Sequence, residues 1–198
     1  GDHGCPRRGE IYQGALMPPL SYYWAQLRQS WAKRHKDTSF RTDPSIDLIL
    51  SFTPLPSQAR ILCVGPRNGV ELDAWEQRGY CQVDGIDLLG KVSDRRIRWG
   101  DMHGLRCMDS QFDLIYASHV FEHAWDFSKV AEEMIRILRP SGLLFAAFPI
   151  HFTPTSHDRY DFDSADGFLK YFDFARLIRL WHRETPTEVA VLARLEGK

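Results

Sequence analysis

The 198-residue sequence contains no apolar run approaching the roughly 20 residues that span a bilayer, so no membrane partner is expected. Neither charge is in excess. Lys and Arg number 25, Asp and Glu 26, and the formal net charge is −1. A protein that tracks a nucleic-acid backbone usually carries a basic excess, so nucleic acid is not an expected partner. Cysteine is sparse: Cys5, Cys63, Cys81 and Cys107 include no C-x-x-C pair. Small secreted scaffolds are denser in cysteine, which predicts reduced thiols in a cytoplasmic protein. Internal repeats and low-complexity tracts are missing too. Gly1 to Glu10 lacks both an apolar stretch and an initiating Met, which predicts a trimmed terminus rather than a signal peptide. What is present is 43% hydrophobic residues, enough for one globular domain with a full core and no second domain.

Periodicity divides the chain near Gln58. Before it, Leu20, Tyr23, Trp24, Leu27 and Trp31 recur at helical spacing within Leu20 to Lys36. A second short helix is expected from Ser45 to Phe52, opened by Asp43-Pro44 and closed by Pro54 and Pro56. Residues 1–58 therefore predict an N-terminal tail and helical extension, packed on or over a main domain at 59–198. In that domain, strands are expected at Ile61 to Val64, Cys81 to Asp87, Arg96 to Trp99, Phe112 to Ala117 and Leu143 to Phe148. Helices are expected over Val70 to Arg78 and Trp125 to Leu138. Leu88 to Arg95 is too short for a crossover helix, which needs about ten or more residues. The tail reads as helix (Ser164 to Tyr171), strand (Ala175 to Trp181), turn at Pro186 and strand (Glu188 to Leu195). Alternating elements with apolar strand runs predict an α/β fold with a mostly parallel, doubly wound sheet, closed by an antiparallel hairpin edge.

In such sheets a ligand lies beyond the carboxyl ends of the strands, where strand order reverses. The first strand ends in Gly65-Pro66-Arg67-Asn68-Gly69, and glycine permits close backbone approach to a ligand. Asp87 ends the second strand with Leu88 beside it, and a carboxylate there can accept both hydroxyls of a ribose. Gly100-Asp101-Met102 follows the third strand; Asp101 can accept from an adenine amine while Met102 covers the ring. The blocks ILCVGPRNG, VDGIDL, WGDMHGL, FDLIYASHVFEH and EEMIRILRPSGLLF keep order and spacing from about Arg60 to Pro149.

In these blocks the chain resembles the small-molecule class I methyltransferases of the methyltransferase type 11 group. The resemblance implies a Rossmann-like sheet of order 3-2-1-4-5-7-6 and S-adenosylmethionine as cofactor. It places Gly65, Pro66, Arg67, Gly69, Ser118 and His119 near the methionine moiety, Asp87 and Leu88 at the ribose, and Asp101 and Met102 at the adenine. It implies a small-molecule acceptor. Two residues depart from the pattern. Cys63 stands where members carry an acid that helps organise the loop and the methionine amino group. Arg67 stands where they carry glycine, and is expected to turn away from the methyl group, neutralised by Glu71 or by the ligand carboxylate.

His119, Glu122 and His123 match the H-x-x-E-H zinc pattern, but follow a strand rather than occupying a helix, so no metal is expected. His123, His151 and His157 are the candidate bases or orienters, and Tyr22, Tyr23 and Trp24 a candidate lid. A nicotinamide-dependent oxidoreductase would need G-x-G-x-x-G, which Arg67 breaks. A methyltransferase-like binding module that has lost catalysis is the other alternative, favoured by Cys63 and Arg67.

Overall fold

The computed structural model describes residues 18–92 and 94–196. The tail expected at Gly1 to Glu10, with Cys5, lies outside the described residues. Two helices come first, α1 (Leu20–Ala32) and α2 (Ser39–Phe52). Then follow β1 (Arg60–Val64), α3 (Val70–Glu76), β2 (Gln82–Asp87), β3 (Ile97–Trp99), β4 (Phe112–Ser118), α4 (Phe127–Ile137), β5 (Leu138–Pro149), α5 (Ala165–Leu169), β6 (Leu177–Glu184) and β7 (Glu188–Leu195). The seven strands form one sheet of order β3-β2-β1-β4-β5-β7-β6. Strands β1 to β5 pair in parallel, whereas β7 is antiparallel to both β5 and β6. This is the fold class expected from the sequence pattern and the strand order implied by the resemblance. No helix among the described residues is long and apolar enough to cross a membrane.

Alternation along the strands supplies a core on each face. Leu62, Val64, Ile115, Ala117, Leu144 and Phe148 pack against Phe127, Val130 and Met134 of α4 and Phe168 of α5. Ile61, Cys63, Leu114, Tyr116 and Phe145 pack on the other face against Leu72 and Trp75 of α3 and Ile46 and Ile49 of α2. The N-terminal extension thus contributes α2 to one of the two layers covering the sheet.

Helix α2 starts at Ser39, six residues before the expected Ser45, and Pro44 lies inside it. Proline removes a helical donor, while side chains secure the neighbouring turns. Asp37 Oδ1 accepts the Ser39 N–H, and the Thr42 and Ser45 hydroxyls donate to the Thr38 and Arg41 carbonyls. Burial of Thr42 and Ile46 favours the longer helix. Strand β5 starts at Leu138, directly after α4, because Leu138 pairs with Phe112 before the register shifts. Arg139 holds Asp113 through both carboxylate oxygens at 2.7 Å. Strand β6 starts two residues later than expected, at Leu177. Between β2 and β3 lies only a single 3-10 turn, Gly90–Val92, as the short connection requires.

Candidate functional site

Strand β1 lies between β2 and β4, so chain order reverses at its carboxyl end and a crevice opens there. Gly65 is its first residue, with φ 68° and its N–H donating to the Ile86 carbonyl at 2.8 Å. A Cβ here would lie 2.4 Å from Val120 Cγ2, so both backbone and space demand glycine. Arg67 also has positive φ, 44°. Asn68 ties the turn to its surroundings. Its Oδ1 accepts the Val70 N–H at the start of α3, while Nδ2 donates to the Arg34 and Lys36 carbonyls between α1 and α2.

Asp87 is buried at the end of β2, with Oδ1 accepting the Leu89 N–H at 2.7 Å. Burial pushes its carboxyl above the ordinary value, against the Leu89 hydrogen bond and the charge of Arg67. Asp101 Oδ1 accepts the His103 N–H at 3.0 Å and meets the His103 ring. The Trp125 N–H donates to His103 Nε2 at 2.9 Å, so the ring proton is on Nδ1 and faces Asp101. Burial raises the Asp101 carboxyl, but these bonds outweigh it and hold it below the usual range. Met102 is half-buried beside it.

The β4 end carries a chain of alternating histidines and carboxylates. His119, with φ 53°, places Nε2 3.0 Å from Glu188 Oε2 and Nδ1 3.8 Å from Glu122 Oε1. Glu122 Oε1 lies 4.0 Å from His123 Nε2, and His123 Nδ1 lies 2.9 Å from Asp158 Oδ1. Glu122 is buried, and its Oε2 has no hydrogen-bond partner among the described residues. Burial disfavours the His123 imidazolium, but the Asp158 hydrogen bond and the charge of Glu122 outweigh it and raise the pKa above its ordinary value. That hydrogen bond holds Asp158 low in turn.

Of the three candidate histidines, His123 joins this chain. His157 meets it through its carbonyl, 3.1 Å from His123 Nδ1, while its ring contacts the Ser156 hydroxyl. His151 is exposed on the loop after β5, beside Asp163 and the Pro186 carbonyl. Among the described residues no group of His, Cys, Asp or Glu is arranged to hold a metal ion. The H-x-x-E-H segment occupies a strand end and a 3-10 turn (Phe121–His123), not a helix.

Helix α1 crosses this site. The Tyr22 hydroxyl donates to the His123 carbonyl at 2.9 Å, Tyr23 to Asp101 Oδ2 at 2.7 Å, and Gln26 Nε2 to the His157 carbonyl at 2.9 Å. Tyr22 is buried edge-on against Trp125. Trp24 differs from the other members of the candidate lid, being 71% exposed.

Under the Gly65 turn a narrow cleft is lined by Gly65, Arg67, Ser118, Glu71, Thr38 and Arg41. No carboxylate lies within ion-pair distance of the Arg67 guanidinium among the described residues, so the expected pairing with Glu71 is not formed. Burial lowers the pKa of Arg67, with the charge of Asp87 opposing. Arg41 and Thr38 escaped the sequence reading because they precede the motif-bearing region, and an arginine on an amphipathic helix carries no signal of its own.

Residues 62–146 match a family described as a methyltransferase domain. Over 80 residues the chain is 29% identical to the glycine/sarcosine/dimethylglycine N-methyltransferase of Actinopolyspora halophila, covering 40% of this chain and 13% of that protein. Among solved structures, a putative sarcosine dimethylglycine methyltransferase from Galdieria sulphuraria superposes with TM-score 0.67 at 17% identity, covering 80% of this chain and 86% of that one. The 1,6-didemethyltoxoflavin-N1-methyltransferase of Burkholderia thailandensis, solved with S-adenosylhomocysteine, gives TM-score 0.66 at 16% identity over 94% of both chains. At these identities the structural likeness is one of fold.

Proposed function

We propose that this chain, whose residues 62–146 match a family described as a methyltransferase domain, is a class I S-adenosylmethionine-dependent enzyme that transfers a methyl group to a small-molecule acceptor. The observation that carries this reading is the convergence of the Gly65 turn, Asp87, Asp101 and Ser118 on one edge of the sheet, at its order reversal. On this reading residues 59–198 form the cofactor-binding domain and 1–58 its extension. The described cysteines, Cys63, Cys81 and Cys107, are free thiols, in keeping with a cytoplasmic setting.

The residues fit the cofactor. The Gly65 turn sets the main chain at the end of β1, Asp87 and Leu88 take the ribose, and Asp101 and Met102 take the adenine. Pro66, Arg67, Gly69, Ser118 and His119 surround the methionine end. S-adenosylmethionine, when bound, supplies a methyl group on a sulfonium that an aligned nucleophile displaces in line. The protein's task is to orient the acceptor and exclude water; in intramolecular models, alignment alone is worth about 7–11 kcal/mol. Tyr22 and Tyr23 of α1 exclude water. His123 receives the acceptor's proton at Nε2, because Asp158 holds Nδ1.

Calorimetry with S-adenosylhomocysteine, with NAD as comparison, tests the cofactor class. Asp87→Asn keeps the acceptor for the Leu89 N–H but loses the charge, and is expected to weaken binding by about 1.5–3 kcal/mol. A preference for NAD, or unchanged affinity in the folded variant, contradicts the reading. A second reading rests on Cys63 and Arg67: a methyltransferase-like module that binds the cofactor without turning over. Binding without methyl transfer across a panel of amine, hydroxyl and thiol acceptors would favour it.

A further inference from the structure

The two sides of helix α1 differ in what they meet. Tyr22 and Gln26 are buried and, with Tyr23, fasten the helix to the His123 and His157 carbonyls and to Asp101. Leu20, Trp24, Leu27 and Trp31 recur at intervals of four, three and four, which places them in one stripe on the side opposite Tyr22 and Gln26. That stripe is open. Leu20 is 78% exposed and Trp31 51%, with Trp24 exposed and Leu27 half-buried between them. An exposed apolar stripe bordered by polar residues marks an interaction surface. The same segment is basic: residues 20–36 contain Arg28, Lys33, Arg34 and Lys36 but no Asp or Glu, in a chain of net charge −1. None of these four cations is in an ion pair among the described residues. The carboxylates on this side are engaged elsewhere, Asp158 by His123, Asp73 and Asp94 by Arg96, and Asp37 by the Ser39 N–H. The Arg34 guanidinium lies 4.2 Å from the centroid of the Trp31 ring, so cation and indole form one surface unit.

We propose that this outer face of α1 docks on an anionic lipid bilayer, with Leu20, Trp24 and Trp31 entering the headgroup layer and the flanking cations, Arg28 and Arg34 first among them, meeting lipid phosphates. The assignment uses both properties of the surface. A nucleic acid would neutralise the cations but leave the stripe in water, and an apolar protein groove would bury the stripe but leave the cations unmatched. A bilayer interface takes both: indole rings concentrate at headgroup level, and each basic residue near an anionic surface strengthens binding about fivefold. Helix α1 has 13 residues, about 20 Å of helix, which suits lying in the interface plane. The expectation of no membrane partner came from run length, which bears on crossing a bilayer and not on lying against one. The hydrogen bonds of Tyr22, Tyr23 and Gln26 hold the helix in place before it meets lipid, so docking loses little conformational entropy. The face that meets lipid and the face that covers the site are then opposite sides of one helix.

The test is vesicle flotation of the intact chain, with tryptophan emission recorded in parallel, on phosphatidylcholine vesicles with and without phosphatidylserine. Binding is expected to be tenfold or more tighter with phosphatidylserine, to weaken at high salt, and to shift the emission to the blue. Trp24→Ser and Trp31→Ser are each expected to lose most of the binding and part of the blue shift. Arg28→Gln combined with Arg34→Gln should reduce binding to the level seen on phosphatidylcholine alone. Thermal melts check that the variants fold; Trp24 is well exposed, so Trp24→Ser keeps the test valid if another variant does not. Equal binding to both vesicles, or binding that survives Trp24→Ser, would overturn the proposal. So would absence of vesicle binding, whether accompanied by salt-sensitive binding to duplex DNA or by a dimer in light scattering that Trp24→Ser dissociates; the last result would make a second copy of the chain the occupant of the stripe.

Discussion

The Tyr23 hydroxyl donates to Asp101 Oδ2 at 2.7 Å, so helix α1 is fastened to the carboxylate proposed to receive the adenine amine. The other oxygen of Asp101 is taken by the His103 N–H. An adenine amine entering here competes with the tyrosine for Oδ2. Tyr23→Phe is therefore expected to bind S-adenosylhomocysteine more tightly, by about 0.5–1.5 kcal/mol, the worth of one hydrogen bond. Calorimetry and stopped-flow association both read the change. Weaker binding would make Tyr23 part of the site rather than a competitor for it.

The pair His123–Asp158 sets a pH window. The raised His123 contributes stability that is fully present below its unfolded pKa and is lost as pH rises through the folded value. The depressed Asp158 contributes stability present above its unfolded pKa and lost as pH falls through the folded one. As a base His123 must be neutral, so the methyl-transfer rate is expected to rise on the alkaline side of an ordinary imidazole. Asp158→Asn should move that rise to lower pH. His123→Asn should lower kcat by about 10²–10⁴-fold for a hydroxyl acceptor. A pH profile that Asp158→Asn does not move would dismiss His123 as the base.

Glu71 carries a cost in the folded protein. Burial raises its folded pKa to about 8, so the folded state binds this proton more tightly than the unfolded state does. Stability from this group is fully present below the unfolded value and falls as pH rises toward the folded one. Glu71→Gln is expected to melt higher than the parent at pH 9 without ligand, by about 2–4 °C if the gain is about 1 kcal/mol, and with no such gain at pH 4. Thermal melts at the two pH values check it. A lower melting point at pH 9 would show that the ionised carboxylate is already paired in the folded protein.

The α/β class was legible because apolar runs such as Ile61 to Val64 and Phe112 to Ala117 mark buried strands, the antiparallel edge because two strands close the chain with only a turn between them, and the strand order only through the resemblance of the ordered blocks. Strand β7, Glu188–Leu195, matches its expected span because it too is an apolar run. Boundaries were less legible. Pro44 suggests a helix start, yet α2 begins before it and buries Thr42, Ile46 and Ile49 along one packed face. Leu138 looked like the end of a helix, yet pairing with Phe112 makes it the start of β5.

Sequence alone placed Gly65, Asp87, Asp101 and Ser118 at or just past the ends of strands, and that placement is local. Tertiary structure alone decided which partners meet them. Tyr23 reaches Asp101 across 78 positions, His119 reaches Glu188 across 69, and Tyr22 reaches the His123 carbonyl across 101. It also separated the candidate histidines, bringing His123 to Asp158 and leaving His151 on an exposed loop. It set Arg41 on the same cleft as Glu71, and left Arg67 without the carboxylate nearest in sequence. Charges are long-ranged and side chains are long, so their pairing depends on how helices lie on the sheet, which no local pattern encodes.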